Sequence, residues 1–579
     1  MRLTEALKIL QKAPGSTSRS FKMFLVCGCA PLHLQTFLRA HMHVFLPDSR
    51  VTVDAGLFGD CLGSLDRACH ASADAVAVVL EWADFDPRLG IRRLGGWSPR
   101  HLDDVVETVR ARMDSLEQAI ERAASVAPLA ICLATLPLPP ISYKPGWEAS
   151  LFELKLRESL SAFSCRLVQV PNVRFVNAQR LDAKSPPALR LDVQAELASG
   201  FPYRTGHASV LAELLALLLK PAAPKKGLIT DLDDTLWRGI LGEVGVSGVT
   251  WDLDHHSHIH GLYQQLLQAL AEAGILIAVA SKNEPAQVEE ALKRADLVIA
   301  RERLFPVEVH WGRKSESVGE ILRAWNIGAE SVVFLDDSPM ELAEVKAAYP
   351  AIECLPFPVE DDQAVYALLE QLRDWFGKSR ISEEDSIRLE SIRKGAVWSA
   401  DRTRHEGTPD SLLAQAEAEV SVCFTKEPLD PRALELVNKT NQFNLNGRRY
   451  TESAWHAFLS EPETFLMVVA YKDKYGPLGK IAVLGGRCEG PSVLVDTWVM
   501  SCRAFARRIE HRCLEVLLER FPAEELVLDF EPTERNQPVQ EFLSQFQDVA
   551  GGQLARLTRE SFRKKCPQLF HKVKVLHND

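Results

Sequence analysis

A chain of 579 residues is too long for one hydrophobic core and implies several domains. Hydrophobic residues at 46% and charged residues at 25% are ordinary for a soluble globular protein. A formal net charge of −11 argues against nucleic acid as the main partner, because phosphate backbones require a basic face.

The N-terminal segment "MRLTEALKILQKAPGSTSRSFK" is amphipathic and lacks the apolar core of a secretion signal. Further on, "FKMFLVCGC", "DAVAVVLEW" and "APLAICLAT" read as buried strands, with the long amphipathic helix "HLDDVVETVRARMDSLEQAIERAAS" between the last two. This alternation implies an α/β sheet over residues 1–220. The apolar stretch at 210–220 carries Glu213 and is too short to span a bilayer. Twelve cysteines without a CxxC pair fit a reducing, cytoplasmic setting. "KPAAPKK" at 220–226 reads as a linker.

Strand–helix alternation then restarts over 221–375. "GLIT", "ILIAVAS", "LVIA" and "SVVFLDD" are expected strands, and "HIHGLYQQLLQALAEAG", "EPAQVEEALKRA", "KSESVGEILRAWNI" and "MELAEVKAAYP" the helices between and after them. A polar connector, 376–405, leads to a third region, 406–579, where "FLMVVAYK", "GKIAVLGGRCEG" and "SVLVDTWVM" read as antiparallel strands followed by the helix "FARRIEHRCLEVLLERF". The expected architecture is a multidomain α/β chain whose central unit is doubly wound.

Ligands of open α/β sheets bind beyond the carboxyl ends of the strands. Those ends in the central unit present Asp231 and Asp233, then Ser281, then Asp336 and Asp337, with Lys314 opening an intervening helix. A carboxylate can attack phosphorus, and a second one two residues on can shuttle a proton. Carboxylates from another strand complete an all-oxygen site for Mg²⁺, and a lysine offsets the charge of an anionic phosphate. Thr235 and Ser281 can donate to phosphoryl oxygens. Solvated turn acids would account for any one of these residues but not for the ordered set.

The order D-x-D-x-T, hhhS, lone Lys, hhhDD resembles the haloacid dehalogenase superfamily of phosphotransferases. "LDDTLWRGILGE", "GILIAVASKNEP", "LDDSPMELAEVK", "ISEEDSIRLES", "NKTNQFNLNGRRYTE" and "VMSCRAFARRIE" further resemble the FkbH-like family of polyketide assembly lines, over about residues 225–545. That resemblance implies an SGNH-hydrolase-like N-terminal domain, a Rossmann-like phosphatase domain and an acetyltransferase-like (GNAT) C-terminal domain. It implies a glyceryl unit taken from 1,3-bisphosphoglycerate, dephosphorylated, and loaded as a thioester on a phosphopantetheinylated acyl carrier protein. It also assigns Asp231 as nucleophile, Asp233 as acid/base, Asp231, Asp233, Asp336 and Asp337 around Mg²⁺ (Asp337 before Asp336), and Thr235, Ser281, Lys282, Asn283 and Lys314 to substrate.

The sequence departs from the family at two positions. Ala280 stands where relatives commonly carry a cysteine, and Arg238 where they usually carry glycine. Cys502, beside Arg503 at a strand-to-helix turn, is the substitute thiol candidate, with a buried structural cysteine as the alternative. Ala506 and Arg508 stand where a coenzyme A loop would prefer glycine, so independent acetyl-CoA chemistry is not expected. Arg448, Arg449, Arg503, Arg507 and Arg508 are candidates for a basic carrier-docking face, against an ordinary solvated face. In the N-terminal region Cys29 stands where an SGNH hydrolase has its serine, and His207 where it has its histidine; a docking or structural role is favoured over a working pair. His256 and His260 are expected on a solvated helix start rather than around a metal. The competing functions are a plain phosphatase and a non-catalytic carrier-docking scaffold.

Overall fold

The computed structural model describes the chain apart from residues 13–18, 95, 142–143, 221–222, 379–380, 382–384, 386, 395–408, 427–429, 451, 475, 491, 502–503, 534, 547–553 and 577–579. It divides into two compact units, Met1–Ala223 and Pro224–Asp579. Among the described residues no helix is long and apolar enough to cross a membrane.

The first unit is built on a parallel sheet of β1 (Arg19–Cys27), β2 (Ser49–Ala55), β3 (Ala75–Leu80), β4 (Leu129–Leu133) and β5 (Val173–Phe175), in the order β2-β1-β3-β4-β5. Every residue of β3 is buried, as expected of a strand covered by helices on both faces. The helix Leu102–Ala124 packs one face through Val105, Val109, Met113, Leu116 and Ile120, at the spacing of successive helical turns. The helix Thr205–Leu219 packs in the opposite layer with Leu211, Leu215 and Leu219. Strand order reverses between β1 and β3, which opens a crevice at their carboxyl ends.

The second unit holds two sheets. The first is parallel: β6 (Gly227–Thr230), β7 (Leu276–Ser281), β8 (Leu304–Val309), β9 (Val332–Asp336) and β10 (Glu353–Pro356), ordered β10-β9-β6-β7-β8. Its reversal lies between β6 and β9. Gly227 is required at the start of β6, since a Cβ there would lie 2.4 Å from the ring of the buried Trp325. The expected strand "LVIA" is not formed; the chain turns at Leu297–Ala300 and β8 follows it. Pro306 hides β8 in the sequence, but an edge strand tolerates a missing N–H.

The other sheet is mixed. It comprises β11 (Glu419–Cys423), β12 (Phe443–Asn444), β13 (Thr464–Asp473), β14 (Gly476–Glu489), β15 (Ser492–Met500), β16 (Glu525–Asp529), β17 (Leu554–Thr558) and β18 (Lys572–Leu576). Its order is β17-β16-β15-β14-β13-β11-β18, with β12 against β15. The three antiparallel strands expected here are β13, β14 and β15, while β15–β16 and β11–β18 are parallel pairs. β15 pairs with β16 only through Val495, and the two strands then part. Asn446 bridges the parting: its Nδ2 donates to the carbonyls of Asp496 (2.8 Å) and Asp529 (3.1 Å), one from each strand. The following helix begins at Ile509, later than the sequence pattern suggests, because Ala506 and Arg508 take positive φ of 63° and 58°. Each such residue costs on the order of 1–3 kcal/mol, which is why glycine would be preferred there.

Candidate functional site

β6 and β9 run apolar into acids at the reversal point of the second parallel sheet. Asp231 follows Thr230 directly, and Asp336 ends β9. One oxygen each from Asp231, Asp336 and Asp337 lies within 4.8 Å of the others. Lys314, the first residue of its helix and only 4% exposed, places Nζ 2.8 Å from Asp231 Oδ2 and 2.6 Å from Asp336 Oδ2. Ser338 N donates to Asp336 Oδ1 at 2.9 Å.

The electrostatics are those of a crowded acid site. Burial pushes the Asp336 carboxyl up to about 7, and the Asp231 charge adds to the effect. Burial likewise raises Asp231, with Lys314 opposing. Lys314 itself is held charged: burial works against the ammonium, and the two aspartates outweigh it. Asp231 Oδ1 and Thr235 Oγ1 are buried without a hydrogen-bond partner. Buried polar atoms are normally satisfied, so a gap of this kind marks where a ligand completes the site. Three converging carboxylates with a free oxygen fit a hard divalent cation.

The chain coils tightly after Asp231. Leu236 N and Trp237 N both donate to Leu232 O, at 2.8 and 3.2 Å, and Asp234 adopts φ +48°. Within this coil the Asp233 carboxylate is held by donors of its own. Its Oδ1 accepts from Trp237 Nε1 (2.9 Å) and Leu241 N (3.2 Å), and its Oδ2 from Asn283 Nδ2 (3.0 Å). Asp233 therefore lies outside the converging carboxylates of Asp231, Asp336 and Asp337, although it was expected with them around Mg²⁺. Asn283 Nδ2 also donates to Ser281 Oγ at 3.2 Å, tying the end of β7 to Asp233. Lys282 pairs with Glu341 Oε1 at 2.6 Å, joining the loops after β7 and β9 across β6. Arg238 hydrogen-bonds backbone to backbone with Thr250, and its guanidinium reaches Glu360 at 3.1 Å. Ala280 is fully buried among Ile229, Ala278 and Val318, on the face of β7 opposite Val279.

The other candidates fare differently. Cys502 and Arg503 lie outside the described residues. Arg507 is buried, 3.4 Å from Asp473 and over the Tyr471 ring, so it cannot belong to a docking face. Arg448 pairs with Asp529 at 2.8 Å, Arg449 donates to Val437 O and Thr440 O, and Arg508 pairs with Asp410 at 2.5 Å. His260 is not solvated: it is buried, its Nδ1 3.0 Å from Thr235 O, and stacked on Phe357.

In the first unit the crevice between β1 and β3 is filled from within. A Cβ at Gly28 would lie 1.6 Å from Asp84 Oδ1, so only glycine admits that carboxylate. Glu81 is buried and accepts from Thr135 Oγ1 (2.5 Å), Tyr203 OH (3.0 Å) and Leu136 N (3.0 Å). Thr135 spends its proton on Glu81, so His207 Nε2 carries the hydrogen of their 3.0 Å contact, and His207 Nδ1 accepts from Ser185 at 2.9 Å. Both ring nitrogens are occupied, and burial lowers His207 to about 3. The hydrogen bond to Cys27 and burial raise the Cys29 thiol well above its ordinary value. A thiol held protonated and an imidazole with both nitrogens bonded elsewhere do not make an activated nucleophile.

No known family pattern and no curated protein matches this sequence. The N-terminal part of a Bacteroides fragilis protein containing a phosphatase domain, crystallised with Mg, matches with a TM-score of 0.50 at 18% identity, over 66% of this chain and 100% of that one. The likeness fixes the fold. A GDSL-like lipase from Parabacteroides merdae covers 35% of this chain and 95% of its own at 12% identity, with a TM-score of 0.22, and carries no weight here.

Proposed function

We propose that this chain is a Mg²⁺-dependent phosphotransferase of the haloacid dehalogenase type that works through Asp231. The observation carrying the reading is the convergence of Asp231, Asp336 and Asp337 around a buried Lys314, with Asp231 Oδ1 and Thr235 Oγ1 left without partners. A like fold solved with Mg supports the choice of ion. Bound there, Mg²⁺ would supply positive charge against the oxygens of an incoming phosphate. Lys314 holds Asp231 Oδ2, leaving Oδ1 to attack phosphorus. Thr235 donates to a phosphoryl oxygen, and Asp233 first gives a proton to the leaving oxygen and then takes one from the hydrolytic water.

The finer proposal is that the substrate is 1,3-bisphosphoglycerate or alike: the thiol of an acyl carrier protein attacks the acyl carbon and expels that phosphate, and the Asp231 site removes the remaining phosphomonoester to leave a glyceryl thioester. An acyl phosphate is already activated towards a thiol, so the transfer needs no ATP. Because position 280 carries no thiol, the acyl group goes directly to the carrier or by way of another thiol such as Cys502. Arg448, Arg449, Arg503 and Arg508, without Arg507, remain for an acidic carrier. The lack of a thiol at position 280 favours, as second reading, a phosphatase without acyl transfer.

Intact-mass spectrometry of a phosphopantetheinylated carrier incubated with the protein, Mg²⁺ and 1,3-bisphosphoglycerate separates these. A glyceryl-sized gain that disappears with Asp231→Asn is expected. Phosphate release without any gain on the carrier would leave the plain phosphatase.

A further inference from the structure

The indole of Trp237 is fully buried among Leu232, Leu236, Leu241 and Val249, so the direction of its N–H is fixed by packing. That N–H points at Asp233 Oδ1 from 2.9 Å, and Leu241 N meets the same oxygen at 3.2 Å. Oδ2 receives one donor, Asn283 Nδ2. A carboxylate has about four acceptor positions, two on each oxygen. Two N–H groups therefore fill Oδ1, and Oδ2 keeps a free position.

We propose that Trp237 is a positioning residue for proton transfer: it saturates Oδ1, orients the carboxyl plane, and leaves Oδ2 as the oxygen that exchanges a proton with the reacting groups. The inference rests on the phosphotransfer reading above. In the first step Asp231 forms a bond to phosphorus, the bond from phosphorus to the ester oxygen breaks, and the proton on Asp233 Oδ2 goes to that oxygen to give the free alcohol. In the second, water attacks phosphorus, its proton returns to Oδ2, and the bond to Asp231 breaks to release phosphate. Without the indole N–H, Oδ1 keeps only the longer bond from Leu241 N, so the carboxyl plane is held less tightly and the proton is aimed less well.

The dependence on the leaving group tests this. An alkoxide must be protonated to leave, whereas p-nitrophenolate leaves unaided. The rate at which Asp231 gains a phosphoryl group would be followed by rapid-quench intact-mass spectrometry, with glycerol 3-phosphate and with p-nitrophenyl phosphate. Trp237→Phe is expected to slow the reaction of the alkyl ester by roughly a hundredfold, the usual worth of a positioned general acid, and to leave that of the aryl ester near wild type. Equal losses with both esters would mean that Trp237 only supports the fold, and no loss with either would remove it from the reaction; both results overturn the proposal. If Trp237→Phe does not fold, benzothienylalanine at position 237 keeps the bicyclic shape, deletes the donor, and carries the same expectations. Failure of the wild type to phosphorylate Asp231 with either ester would sink the phosphotransfer reading, and this inference with it.

Discussion

The two parallel sheets place buried acids at the same topological point and use them in opposite ways. In the first unit Glu81 and Asp84 stand at the β1/β3 reversal; in the second Asp231 and Asp336 stand at the β6/β9 reversal. Glu81 meets three neutral donors, and Asp84 occupies the space that a side chain at position 28 would take. Asp231 meets a lysine and keeps one oxygen bare. A buried acid is thus no sign of chemistry by itself; an acid site left incomplete is. In the first crevice the acids are met by its own side chains, whereas in the second Asp231 Oδ1 and Thr235 Oγ1 have no partner among the described residues.

The sharpest test of that contrast is the nucleophile. Asp231→Asn should lower phosphate release by roughly 10⁴-fold or more, the order of loss seen when a nucleophile is removed from an enzyme. Glu81→Gln should leave phosphate release unchanged, and a matching loss would break the comparison. Next in size is Lys314→Met. Removing one partner from a buried ion pair costs about 3–5 kcal/mol because the other charge is left uncompensated, and a fall of that order in urea denaturation is expected, together with loss of activity.

Acidity gives a third test, in which the two units first agree and then diverge. Asp336 rises from 3.8 to about 7, Glu81 from 4.5 to about 7 and Asp84 from 3.8 to about 6. The folded state therefore holds protons that the unfolded state has released. This stability is fully present below the unfolded values and is lost as pH rises through the folded ones. Hydrogen-exchange protection, measured against the unstructured rate at each pH, should fall in both β3 and β6 between about pH 5 and 8 in metal-free protein. Added Mg²⁺ should restore protection in β6 alone; protection gained equally in β3 would contradict the division. The smallest effect belongs to Thr135→Val, which deletes a donor to Glu81 and should cost about 1–3 kcal/mol of stability without touching phosphate release.

In the central sheet β6, β7 and β9 were legible because each announces itself. "GLIT" and "SVVFLDD" are apolar runs that end in acids, and a buried parallel strand has few other ways to look. β8 was missed because Pro306 interrupts its pattern, and β10 because four residues carry no periodicity. The cluster of Asp231, Asp336, Asp337 and Lys314 could be read from strand ends alone. The bonds of Asp233 could not, since they depend on the coil at 232–241 bringing Trp237 back beneath the carboxylate. Arg507 resembled a surface cation because its partner, Asp473, lies more than thirty residues away on β13. His260 looked solvated for the same kind of reason: Phe357, which covers it, follows β10.

Asn446 has a consequence for the mixed sheet as a mechanical object. Beyond Val495 no backbone ladder joins β15 to β16, and a primary amide grips one carbonyl on each side of the gap. The two flanks of the sheet therefore hold together at that point through the pair 445–446, Leu445 by its backbone to Trp498 and Glu531 and Asn446 by its side chain, on a loop that belongs to neither strand. An aspartate at 446 would keep the shape and turn two donors into acceptors facing carbonyls, so the seam would open from its end.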